Sequence, residues 1–158
     1  MVHPMKMLQL ISVTILAIAA IAAPAQAIEA NAPHLHGSAA IPNNRNALNV
    51  SYRFYVHVQG ASIDQLSVNV PDKVSYKGRV SIMNQAGEKV GFTSSLNEQT
   101  KLIKFDRAIE PNEILTVNLE EIRIKSNLIY RTLFMPVSVN ENKINAIIPI
   151  GTARIQLY

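Results

Sequence analysis

The amino-acid sequence predicts an all-β protein, folded as a single antiparallel β-sandwich that follows an N-terminal signal helix. The clearest evidence is Asn49–Val58, where apolar and polar side chains alternate strictly, as in a strand with one buried and one wetter face. Further short apolar segments follow, separated by turn residues at intervals of about 8–12 residues, which is typical of an immunoglobulin-like sandwich. Beyond the N-terminal segment, no stretch shows the apolar period of about 3.6 residues that marks an amphipathic helix.

The N-terminal residues have the three parts of a secretory signal. Lys6 supplies a positive charge, Leu8–Ala23 is uncharged and mainly apolar, and Ala25-Gln26-Ala27 places small residues where signal peptidase reads them. The alternative is an uncleaved membrane anchor, but the apolar run is shorter than the roughly 20 residues that usually span a bilayer. We therefore expect a signal peptide over residues 1–27, cut after Ala27, and a secreted or periplasmic location.

Composition excludes several classes of function. The net charge is +4, and the Lys and Arg residues are spread along the chain, so the clustered basic patch of a nucleic-acid-binding protein is missing. The sequence has no cysteine, which rules out disulfides and thiol chemistry. The chain after the signal is long enough for one domain with one core. We expect an extended lead-in over residues 28–48 and the sandwich over residues 49–158.

The segment Asn49–Val58 is expected to be the strand at the centre of the core. Its inward parity contains Val50, Tyr52, Phe54, Val56 and Val58, which should be buried together. The lead-in before it is rich in Asn, Pro and Gly, so we expect at most one short edge strand there, around His34–Ser38.

The remaining elements are predicted from the same alternation and from the turn residues between them. The strands expected are, in chain order, Leu66–Val70, Arg79–Met83, Leu102–Phe105, Leu115–Leu119, Ile129–Val139 and Ile147–Tyr158. Val74–Tyr76 is ambiguous. The Gly-containing loop Asn84–Glu88 predicts a hairpin, and Leu115–Leu119 can continue to Ile124 past a kink at Glu120-Glu121. Pro136 suggests an edge strand or a bulge.

Several of these segments match a known family in the same order. The matching pieces are Tyr52-Arg53-Phe54, Leu66–Val70, Ile109–Val117, Tyr130–Val139 and Ile150-Gly151-Thr152-Ala153-Arg154 through Tyr158. The chain from Pro33 to the end therefore resembles the small exported cyanobacterial proteins grouped as domain of unknown function 2808. This resemblance implies export and a sandwich-like β domain, and it lends no catalytic residues. Two turns depart from the family pattern, because Asn112 stands where Gly tends to follow Pro, and Ser126–Ile129 replaces a Gly-rich segment.

Three histidines are candidate metal ligands. His34 and His36 would point the same way on an extended segment, and His57 could complete a copper or zinc site. The simpler interpretation, which the sequence favours, is two solvated histidines in a loose lead-in, because no Cys, Met-rich cluster or second His motif accompanies them.

The outward parity of Asn49–Val58 gives a second candidate site. Arg53, Tyr55 and His57 form a row on this face, and exposed aromatic and arginine side chains are common at interfaces. Such a row could contact a protein or a carbohydrate, or it could be shielded by loops of the sandwich.

No arrangement of residues predicts an enzyme. Glu120 and Glu121, near Glu110 and Glu113, form the densest acidic stretch, and paired carboxylates could serve glycoside hydrolysis. Adjacent residues of a strand face opposite ways, however, so Glu120 and Glu121 do not naturally form such a pair. A solvated turn is the favoured interpretation. No nucleophile motif or phosphate-binding glycine loop is present. We therefore expect a non-enzymatic exported module without a cofactor, which contacts an unknown protein or glycan, binds no nucleic acid and meets the membrane only through its signal. The alternative is a periplasmic copper- or zinc-binding protein.

Overall fold

Ten β-strands form the part of the chain that the computed structural model describes, which comprises residues 31–44, 47, 49–124 and 132–158. They are β1 His34–Ile41, β2 Val50–His57, β3 Ile63–Asn69, β4 Val74–Tyr76, β5 Val80–Met83, β6 Phe92–Asn97, β7 Thr100–Ile109, β8 Ile114–Ile124, β9 Thr132–Glu141 and β10 Ala146–Gln156. This part contains no helix that could cross a membrane. The expected signal over residues 1–27 lies outside the described residues.

The strands form two antiparallel five-stranded sheets that pack face to face, so the predicted all-β sandwich is confirmed. Sheet A has the order β1-β2-β8-β4, with β5 also paired to β8. Sheet B has the order β10-β9-β3-β7-β6. The residue at φ 74° in the turn before β8 is Asn112, and this left-handed conformation is one that Asn, like Gly, adopts readily.

The core lies between the sheets, and β2 together with Val58, which directly follows it, contributes five side chains to it. Their exposed fractions are at most 1%, so the predicted inward set is confirmed: Val50, Tyr52, Phe54, Val56 and Val58. Ser51, Arg53 and Tyr55 are half-buried on the opposite face, as the alternation predicts. The hydroxyl of Tyr52 is buried and has no hydrogen-bond partner in the described part of the chain, and burial raises the pKa of this phenol.

Strand β1 is longer than the sequence predicts. It pairs with β2 from His34 to Ile41, well into the segment expected to be an extended lead-in. Residues His36 and Gly37 together face Tyr55, which makes a bulge with Gly37 at φ 75°. The bulge changes the parity of the strand, so that Leu35 and Ala40 both reach the core. Simple alternation cannot predict a strand whose parity changes midway.

The sequence predicts a kink, a hairpin loop and an edge or bulge at three further places, and the structure agrees with these predictions only in part. β8 does continue past the kink, with a bulge at Glu120-Glu121 and Glu121 at φ 56°. The loop Asn84–Glu88 closes a short hairpin as predicted, with Met83 bridged to Lys89 and the Val90 amide donating to the Ile82 carbonyl at 3.0 Å. The hairpin ends there, because the next strand, β6, joins the other sheet. Pro136 does not mark an edge strand, because β9 is an interior strand of sheet B. Pro136 itself has no partner on β3, since the pairing of β9 with β3 covers only Val137–Glu141.

The first and last strands close one side of the sandwich. The Ser38 hydroxyl donates a hydrogen bond to the Arg154 carbonyl at 2.7 Å. Nearby, a Cβ atom added to Gly151 would lie 3.3 Å from Cδ1 of Leu35, so β1 and β10 are in close contact. Ala153 and Ile155 of β10, and Leu157 directly after it, are at most 2% exposed, which confirms the predicted half-buried closing strand.

Candidate binding face

The outward residues of β2 lie in the middle of sheet A and form the centre of a continuous surface. Through the strand register, Arg53 is next to Asn118 and Tyr55 is next to Thr116 on β8. β5 continues the same rows, with Ser81 beside Asn118. We call this surface, which comprises Arg53, Tyr55, His57, Thr116, Asn118 and Ser81, the outer face of sheet A. Asn118 is buried and the other five side chains are half-buried. The face is therefore accessible to a partner while its side chains remain partly packed.

A chain of hydrogen bonds crosses this face and holds Arg53 in place. The Arg53 Nε donates to Oδ1 of Asn118 at 2.7 Å, and Nδ2 of Asn118 lies 3.4 Å from the Ser81 hydroxyl. The Ser81 hydroxyl donates in turn to a carboxylate oxygen of Glu120 at 2.6 Å. The two terminal nitrogens of Arg53 make no hydrogen bond or ion pair with the described residues. The guanidinium is therefore held in one orientation through its Nε, and the N–H groups of its two terminal nitrogens remain available to a partner.

Two of the three candidate metal ligands come together. His34 and His57 are directly opposite in the ladder, with ring centroids 5.0 Å apart and planes at 61°. The Nδ1 of His34 lies 3.2 Å from the Ala32 carbonyl, which can only accept, so this nitrogen is the donor and Nε2 is left free. His36 is exposed at the β1 bulge, and no ring contact joins it to His34 or His57 in the described part of the chain. Within the described ranges, no group of three or more His, Cys, Asp or Glu side chains could hold a metal ion.

The acidic residues are engaged in local structure. Glu113 accepts two hydrogen bonds from Arg107, at 2.9 and 3.0 Å, and this partner lowers the pKa of its carboxyl. Glu120 accepts from Ser81, whereas Glu121 pairs with Arg79 at 2.8 Å. Glu120 and Glu121 thus bind different groups, as expected for adjacent residues of a strand.

Two polar residues that the sequence analysis did not single out are buried. Asn118 is 5% exposed and joins Arg53 to Ser81, a role that depends on β8 lying between β2 and β5. Lys101 is 3% exposed and faces the core from β7, and its ammonium group makes no hydrogen bond with the described residues. Burial lowers the pKa of its ammonium group. Its inward parity with Ile103 was visible in the sequence and could have identified it.

Three clefts formed by described residues, of about 240, 280 and 300 Å³, lie away from this face. One of about 240 Å³ opens between the turn after β3 and the turn between β6 and β7, where Pro71, Tyr76, Leu96 and Glu98 line it. It contains no histidine, and it shares no residue with the outer face of sheet A. The candidate contact surface is thus a sheet face and not one of these clefts, and an extended face of this kind suits a macromolecular partner better than a small molecule.

No known family model matches the chain, and no curated protein matches it. Its fold is similar to that of solved bacterial proteins. The N-terminal domain of an adhesin from Streptococcus gordonii superposes with a TM-score of 0.56 at 14% identity, covering 80% of this chain and 32% of that one. The major pilin subunit of Bacillus cereus gives a TM-score of 0.53 at 9% identity, covering 79% of this chain and 40% of that one. The chain thus spans well under half the length of either protein, and the likeness establishes an immunoglobulin-like β-sandwich.

Proposed function

We propose that this chain is an exported, non-enzymatic binding module that contacts a protein or glycan partner through the outer face of sheet A. The observation that supports this most is the fixed orientation of Arg53, whose Nε is held by Asn118 while its terminal nitrogens are available. A guanidinium held in this way can donate two parallel hydrogen bonds to a carboxylate. The occurrence of the same fold in an adhesin and a pilin is consistent with a binding or structural role.

The neighbours of Arg53 fit the same role. Tyr55 and His57 follow it along the outward parity of β2, where each is half-buried. Aromatic side chains beside an arginine provide contact area at small entropic cost, because few torsions need to be fixed on binding. The Thr116 hydroxyl next to Tyr55 adds a donor and acceptor that could meet a sugar hydroxyl or a peptide group.

Capture of a partner from the native periplasm or medium, followed by affinity measurement, tests this surface. We expect Tyr55→Ala with His57→Ala to weaken binding by about tenfold or more, since residues at the centre of an interface dominate affinity. The matched control is Phe134→Ala with Arg154→Ala, a cross-strand pair on the outer face of sheet B, which should change affinity less than about twofold. Equal binding by the two double variants would show that the outer face of sheet A is not the contact surface.

Export is proposed to depend on residues 1–27, with cleavage after Ala27. The charged start, apolar run and Ala25-Gln26-Ala27 support this, as does the resemblance to the exported cyanobacterial family, of which we propose the chain is a member. Mass spectrometry of the exported protein should find Ile28 at its N-terminus. Recovery of a membrane-bound protein with Leu8–Ala23 intact would instead identify an anchor.

Metal binding is the second candidate function, favoured by the 5.0 Å approach of the His34 and His57 rings. Two imidazoles provide only half of a tetrahedral site, so we expect copper and zinc to bind with dissociation constants weaker than about 1 μM. Titration of the protein beside His34→Ala with His57→Ala measures this, and His36→Ala is the control. Sub-micromolar affinity that disappears in the double variant would make metal binding the leading function.

A further inference from the structure

The edge of sheet B formed by β6 is open in the part of the chain that the structure describes. β6 pairs with β7 through six consecutive residues without a register shift, and no other described strand pairs with it. It contains none of the features that usually protect an edge, because it has no proline, no charged side chain and no bulge. The other edges differ. β1 and β10 pack against each other, while β4 and β5 have only three and four residues.

The ladder between β6 and β7 shows which backbone groups of β6 are free to pair. The Asp106 amide donates to the Gly91 carbonyl at 3.1 Å, so these two residues form a hydrogen-bonded pair. Hydrogen-bonded pairs alternate along an antiparallel ladder, which directs the amides and carbonyls of Phe92, Ser94 and Leu96 away from β7. These six groups are the ones that an added strand would bind.

The residues of β6 are self-complementary about Ser94. An antiparallel copy related by a two-fold axis through Ser94 would place Phe92 opposite the partner's Leu96, and Thr93 opposite the partner's Ser95. Each cross-strand pair then joins like with like, since two half-buried apolar side chains meet and two hydroxyls meet. A two-fold contact requires this property, because each residue of the strand meets the residue at the mirrored position.

The charged residues near the two ends of the strand do not decide the arrangement. Lys89 is bridged to Met83 before the chain reaches β6, Asp106 lies beside Gly91 at that end, and Glu98 follows β6 at the other end. An antiparallel pairing therefore brings Glu98 of one copy towards charges of both signs on the other copy, which neither favours nor opposes it. From the open edge, the free backbone groups and this symmetry, we propose that β6 is a self-association edge through which two copies of the chain form an antiparallel dimer with one continuous sheet.

A single strand pair buries less surface than a permanent interface, so the dimer is expected to be weak and reversible. Sedimentation and light scattering of the exported chain from about 10 to 500 μM should therefore show a concentration-dependent dimer. Ser94→Lys places two like charges together at the symmetry axis and should weaken the dimer by about tenfold or more, as should Ser94→Glu. An equimolar mixture of the two variants should restore a dimer, because only position 94 faces its own copy. Ser94 is exposed, and unchanged circular dichroism and melting temperature will show that the variants fold.

Thr152→Lys, an exposed position of β10 on the same sheet, is the matched control and should leave the dimer intact. Because the sequence has no cysteine, Ser94→Cys introduces a single thiol per chain, which a short bismaleimide should cross-link, whereas Thr152→Cys should not be cross-linked. A chain that stays monomeric to about 500 μM would overturn the proposal. A dimer that tolerates Ser94→Lys would overturn it equally, since its interface would then lie elsewhere.

Discussion

Replacing Ile155 with aspartate is expected to leave the protein unfolded or insoluble. Ile155 is fully buried on β10, so the variant would bring a carboxylate without a partner into the core. We expect a loss of at least about 4 kcal/mol, which is a large share of the 5–15 kcal/mol by which a typical domain is stable. Truncation after Thr152 should have a similar outcome, because it also removes the buried Ala153 and Leu157. Soluble yield and urea denaturation followed by circular dichroism measure the effect.

Gln156→Asp is the control for this substitution. Gln156 is the next residue of β10 and is exposed, so the same charge there should change the free energy of unfolding by less than about 0.5 kcal/mol. A truncated chain that remains soluble, with the melting temperature of the intact protein, would show that β10 is peripheral to the core.

Phe54→Ala is expected to lower the free energy of unfolding by about 3–5 kcal/mol, the usual effect of removing a buried phenylalanine side chain. Phe54 lies at the centre of β2, is fully buried and belongs to the core between the two sheets. Its neighbour Tyr55 faces the opposite side and is half-buried. Tyr55→Ala should therefore lower stability by about 1 kcal/mol or less.

Equilibrium denaturation of the two variants under identical conditions gives the comparison. The pair tests the burial parity of β2 directly, since the substitutions are adjacent and both remove an aromatic ring. Equal losses of stability, or a larger loss for Tyr55→Ala, would contradict the arrangement in which β2 faces the core through Phe54.

The elements that the sequence predicts well are those with regular alternation. β2 and the end of β10 have one apolar and one polar parity, and burial follows this pattern at each residue. The full length of β1 was not predicted, because the bulge at His36–Gly37 reverses the parity of the strand. Leu35 and Ala40 therefore lie on the same face although their sequence separation is odd. The sequence also did not predict that the chain crosses from sheet A to sheet B between β5 and β6, since local turn residues do not specify which sheet the next strand joins.

The candidate site likewise combines features that the sequence predicts with features that it does not. The outward direction of Arg53, Tyr55 and His57 follows from the alternation of a single strand. The partners of Arg53 do not, because Asn118 and Ser81 come from strands far apart in sequence, and only the order of sheet A brings them together. The pairing of His34 with His57 likewise depends on the register of β1 against β2.

The contact between β1 and β10 determines how the domain would respond to mechanical tension. Leu35 lies beside Gly151 and Ser38 beside Arg154, so both residue numbers increase in the same direction and the two strands run parallel. A force that pulls on the start of β1 and the end of β10 would therefore slide one strand along the other. In this shear geometry, the contacts along the strands must break together, whereas peeling would break them one after another. The side of the sandwich that the first and last strands close is thus loaded in shear when the chain is extended.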